Sequence, residues 1–76
     1  MIKVGQYMIG NRGESKITKI ELCEKVGQKE GIPMKEVFEA DKDRCVFDFE
    51  NGHWAYGIDC IVSKNFYNEH IFEGEA

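Results

Sequence analysis

The sequence predicts a mainly β domain, a small antiparallel barrel of about five strands finished by a short C-terminal helix. Three observations carry this expectation. Residues 45–58 alternate apolar and polar side chains, an Asn-Gly pair interrupts them, and 76 residues leave room for one core only. Residues 1–76 are therefore expected to form a single β-rich domain, with Phe38, Phe47, Phe49, Trp54, Tyr56, Phe66, Tyr67 and Phe72 supplying its bulky apolar area.

In chain order, Lys3 to Ile9 reads as a first strand, ended by Gly10-Asn11-Arg12-Gly13. Lys16 to Cys23 reads as a second strand with Ile17, Ile20 and Leu22 as its apolar content; the imperfect alternation predicts a bulge. Glu24 to Pro33 is polar and punctuated by glycine, which suggests a loop crossing the sheet. Residues 34–40 carry two patterns. Met34, Val37 and Phe38 have helix spacing behind Pro33, the α+β alternative, whereas Val37 to Ala40 can pair with Arg44 to Phe47 around Asp41-Lys42-Asp43. The strand is preferred.

The clearest element is Cys45-Val46-Phe47-Asp48-Phe49-Glu50, Asn51-Gly52, then His53-Trp54-Ala55-Tyr56-Gly57-Ile58. A two-residue type I′ turn at Asn51-Gly52 would set Phe49 against Trp54, Phe47 against Tyr56 and Cys45 against Ile58, all facing inward. On that register Trp54 and Tyr56 belong to the core and not to a base-stacking platform. Beyond Cys60, Ser63 could cap a short helix running to Ile71.

The opening strand Val4-Gly5-Gln6-Tyr7, the rise from Gly13 to Ile20 and the hairpin around Asn51-Gly52 together resemble the small SH3-like or Tudor-like barrels, over residues 3–60. The resemblance implies that fold and a role in binding peptides or nucleic acids. In size the chain is also similar to compact phage proteins that dock on a host enzyme. No family site residue carries over, because the chain lacks a groove signature for Pro-rich ligands and its acidity departs from the nucleic-acid-binding members.

The formal net charge is −4, unevenly spread. Residues 1–35 hold seven Lys or Arg against four Glu; residues 36–76 hold three basic residues against ten acidic ones. An acidic surface is repelled by phosphate backbones and attracts basic proteins. Met1 to Gln6 has no signal-peptide pattern, and no apolar run approaches the ~20 residues of a membrane span. Three cysteines, Cys23, Cys45 and Cys60, cannot all pair, which fits a reducing, cytoplasmic setting.

These features rank the functional classes. The separations among Cys23, Cys45, His53, Cys60 and His70 lack the close pairing of a zinc motif, and no catalytic triad or phosphate loop is legible, so neither metal, cofactor nor catalytic residue is expected. The leading expectation is a non-catalytic protein-interaction module, an inhibitor or adaptor docking on a basic surface through Asp41, Asp43, Asp48, Glu50, Phe66, Tyr67 and Phe72. The alternatives are a nucleic-acid-binding barrel using Tyr7, Arg12, Lys16 and Lys19, and a small metal-dependent enzyme.

Overall fold

Strand β3, Gly13–Leu22, organises the molecule because it is long enough to be paired on both edges. The computed structural model describes residues 1–63. Before β3 come β1 (Ile2–Lys3) and β2 (Tyr7–Gly10); after it come β4 (Ile32–Met34), β5 (Glu36–Val37), β6 (Cys45–Phe49), β7 (Trp54–Tyr56) and β8 (Ile61–Val62). Two 3-10 helices, η1 (Glu39–Arg44) and η2 (Gly57–Asp59), precede β6 and β8.

The main sheet runs β7-β6-β3-β2-β8, with β4 added beside the C-terminal half of β3, while β1 and β5 form a separate antiparallel pair. This corrects the expected barrel. Closure requires the two terminal strands to hydrogen-bond, but β7 pairs with β6 and β8 pairs with β2, so the sheet stays open. Only four residues, η2 and Cys60, separate β7 from β8, at opposite ends of the strand path, so the sheet curls without closing.

Several local expectations are also corrected. The first strand breaks in two because Gly5 turns the chain at φ +96°, freeing β1 to pair with β5 through Ile2–Val37 and Lys3–Glu36. Residues 37–40 neither pair with 44–47 nor form an α-helix. Glu39–Arg44 winds into η1, with acidic residues in its first turn and basic ones in its last, matching the helix polarity. Both described helices are internal. The helix expected from Ser63 to Ile71 falls beyond residue 63, outside the described residues; Ser63 itself is buried and its hydroxyl hydrogen-bonds the Glu14 carboxylate. The bulge in β3 is present, as a register shift between Ile17 and Lys19 opposite β6.

One face of the sheet is apolar because inward positions recur along each strand. Ile2, Met8, Ile17, Ile20, Val37, Cys45, Phe47, Phe49, Ala55 and Cys60 form one buried cluster, with Leu22 and Val62 against it. Phe47 is its largest fully buried side chain. All three cysteines are reduced and buried. No helix among the described residues is long and apolar enough to cross a membrane.

Candidate docking face

The β6–β7 hairpin differs from its expected register by one residue. Asp48 lies opposite Trp54, Phe47 opposite Ala55 and Val46 opposite Tyr56. The turn is Glu50-Asn51-Gly52: Phe49 N–H donates to the His53 carbonyl at 2.9 Å, and Gly52 N–H donates to the Phe49 carbonyl at 3.0 Å. Gly52 takes φ +87° while no non-glycine residue has positive φ, so Asn51 cannot occupy the type I′ position assigned to it. Three contacts hold the longer turn. Glu50 N–H donates to the Lys16 carbonyl at 2.8 Å, Asn51 N–H to Ser15 Oγ at 3.3 Å, and His53 N–H to Asn51 Oδ1 at 3.0 Å.

Because side chains alternate strictly along a strand, the extra turn residue exchanges the two faces of β7. Ala55 enters the core beside Phe47. Trp54 and Tyr56 face outward, with Trp54 41% exposed, so the expectation that both rings fill the core is overturned.

The outer face thus becomes a grid of cross-strand neighbours. Lys19, Asp48 and Trp54 form one row across β3, β6 and β7; Glu21, Val46 and Tyr56 form the next. The Trp54 and Tyr56 rings meet edge to face, with centroids 5.2 Å apart at 86°. Along β3, Lys19 Nζ lies 3.0 Å from Glu21 Oε1, and the other Glu21 oxygen accepts Gly31 N–H at 3.0 Å. These donors hold the Glu21 carboxyl below the usual carboxylate range, the backbone N–H being the larger cause, while Glu21 in return raises the Lys19 pKa. The Gly31 bond also ties the 24–31 loop to β3, and that loop sets Lys29 Nζ 4.4 Å from the Trp54 ring centroid.

Three of the four described acidic candidates are paired locally. Asp41 is 3.0 Å from Arg44, Asp43 is 3.0 Å from Lys42, and Glu50 is 3.8 Å from Lys16. Each carboxylate has a local cation, which blunts its pull on a distant partner. Asp48 alone of the described acidic candidates lies on the aromatic face; Phe66, Tyr67 and Phe72 are outside the described residues. Of the basic candidates, Lys16 Nζ sits 5.8 Å from the Tyr7 ring centroid and Lys19 is engaged with Glu21, whereas Arg12 is exposed at the β2–β3 turn. A small crevice brings Arg12 beside Asn51, His53 and Trp54.

A separate groove of about 370 Å³ is lined by the paired residues Leu22 and Ile32 and by Gln28, with Arg44 in its wall. Arg44 donates there to the Cys23 carbonyl at 3.3 Å and to Asp41 at 3.0 Å, which orients its guanidinium group. Cys23, also in the wall, donates to the Gln28 carbonyl at 3.3 Å, and its thiol pKa is raised chiefly by burial. No group of three His, Cys, Asp or Glu among the described residues is placed to hold a metal ion.

Sequence reasoning missed Glu21 and assigned Trp54 and Tyr56 to the wrong face. The available signal was that Asn-Gly also suits the last two positions of a three-residue turn, in which only the glycine needs positive φ. No family model, curated protein or solved structure matches this chain. With the sheet open as well, the resemblance to SH3-like and Tudor-like barrels and the likeness to phage proteins are both withdrawn.

Proposed function

We propose that this chain is a non-catalytic protein-interaction module, an inhibitor or adaptor acting in the cytoplasm, that docks on a basic surface of another protein through the outer face of β6 and β7. The observation that carries the proposal is Trp54, displayed outward opposite Asp48 and already facing an ammonium group at 4.4 Å. An exposed indole offers rigid area to desolvate, and the carboxylate beside it favours a cationic partner. The three reduced cysteines support the reducing compartment.

Affinity capture followed by quantitative binding tests the proposal. A captured basic protein should lose at least tenfold in affinity with Trp54→Ala or Asp48→Asn, and little with Asp41→Asn or Glu50→Gln. Binding that ignores both face substitutions would remove the proposal.

One observation favours a second reading, nucleic-acid binding. Arg12 lies by the same crevice as Trp54, and an indole near cations can stack on a base. Salt-sensitive retardation of a single-stranded oligonucleotide, weakened by Arg12→Ala, would favour it; no retardation at low salt would dismiss it.

A further inference from the structure

The loop after β3 is shaped to return across the outer face. Gly27 turns it at φ +80°, and Gly31 lies so close to β3 that a Cβ there would come 2.3 Å from the Leu22 carbonyl oxygen. Its N–H bond to Glu21 fixes the end of the loop against the sheet. Lys29 is thereby carried over Trp54 on a face that also presents Asp48 and Glu21. An ammonium over an indole with carboxylates nearby is a working cation seat, occupied by the chain's own lysine.

That occupant is a weak one. Lys29 is exposed on a polar loop, and a lysine ammonium is a compact, strongly hydrated charge on a flexible stem. An arginine would use the seat more fully, because a planar guanidinium can stack on the indole while its N–H groups bond the Asp48 carboxylate. Resting on the docking function proposed above, we infer that Lys29 is a place-holder in a seat for an arginine side chain of the protein partner, and that docking exchanges one cation for the other. The partner supplies the charge that Lys29 surrenders, so the carboxylates of the face stay compensated throughout.

Trp54 is the single tryptophan, so its fluorescence reports on the seat directly. The full chain is titrated with a short Gly-Arg-Gly-Arg-Gly peptide and with its citrulline counterpart, which keeps the shape and loses the charge. The arginine peptide should give a saturable change, and the citrulline peptide none. Lys29→Met should tighten arginine-peptide binding about two- to fivefold, the range an exposed cation–π contact accounts for. Lys25→Met removes the same charge from the same loop without touching Trp54 and should have the smaller effect. Asp48→Asn should weaken binding. Equal tightening by Lys25→Met and Lys29→Met would reduce the effect to net charge and overturn the inference. Unchanged affinity in Lys29→Met would overturn it while leaving the docking function standing; no arginine-peptide binding to any variant would overturn both. Saturation by a single-stranded oligonucleotide instead of the peptide would assign the face to nucleic acid and reject the inference.

Discussion

The carbonyl oxygen of Lys42 occupies the space where a side chain on Gly57 would begin: a Cβ there would lie 1.7 Å away. Lys42 in turn sends its ammonium to the carbonyl oxygens of Gly57 at 2.5 Å and Cys60 at 2.8 Å, with Asp43 at 3.0 Å. Helices η1 and η2 are locked together by backbone contact on one side and a charged donor on the other.

Two substitutions separate these effects. Gly57→Ala drives a methyl group into backbone, which cannot rotate aside, and should cost about 3 kcal/mol. Lys42→Met keeps much of the side-chain length but removes the donor from two carbonyls, with an expected loss of about 2 kcal/mol. Urea unfolding should register both as shifts in midpoint with little change in slope. Values within about 0.5 kcal/mol of the parent protein would refute the lock.

The β6–β7 turn makes a prediction whose sign depends on its type. In a type I′ turn, glycine at residue 51 would relieve a positive φ and stabilise the hairpin. In the observed turn residue 51 has negative φ, and its side chain accepts His53 N–H at 3.0 Å. Asn51→Gly should therefore destabilise by about 0.5–1 kcal/mol, and Gly52→Ala by about 1 kcal/mol because it forces a side chain to positive φ. A stabilising Asn51→Gly would contradict the turn and, with it, the outward placement of Trp54.

The same turn shows where the sequence stopped being informative. Alternation in residues 45–49 was enough to place Phe47 and Phe49 inside, because both lie on the strand before the turn. It could not place Trp54, because the inward set of β7 depends on whether two or three residues are spent reversing the chain. Glu50, Asn51 and Ser15 decide that count, and Ser15 is 36 residues away from Asn51 in sequence. The barrel expectation fails for a related reason. Nothing local in Ile2–Lys3 says that its partner is Glu36–Val37 rather than the edge of the main sheet. The meeting of Lys29 with Trp54 was equally hidden, since it requires the loop path and the hairpin register together.

The thiols set an alkaline limit on stability. Burial pushes Cys45 and Cys60 from 9.0 to about 11, so each proton is held more tightly in the folded state. A neutral buried thiol contributes its full share below pH 9, and that share is lost as pH rises from 9 toward 11. The loss is on the order of 2–3 kcal/mol per thiol at the upper end. Urea midpoints should fall over this interval, and Cys60→Ala should show a shallower fall than the parent protein. At neutral pH, a thiol reagent should label these two residues slowly until the chain is unfolded. Rapid labelling of the native protein would disprove their burial.

Acid should loosen the docking face before it unfolds the core. Glu21 has a lowered pKa because its ionised carboxylate accepts Gly31 N–H and pairs with Lys19, so its contribution is complete above the unfolded-state value and disappears as pH falls through the folded one. Protonation weakens the hold on Gly31, the 24–31 loop gains freedom, and Lys29 leaves the Trp54 ring. The fluorescence of Trp54 should accordingly change in a first acid transition while far-ultraviolet circular dichroism remains native. Glu21→Gln should lack that first transition, since its amide carries no charge to titrate, whereas Glu50→Gln should retain it. A single transition shared by fluorescence and circular dichroism in the parent protein would show that the loop and the core give way together, and that Glu21 does not govern the face separately.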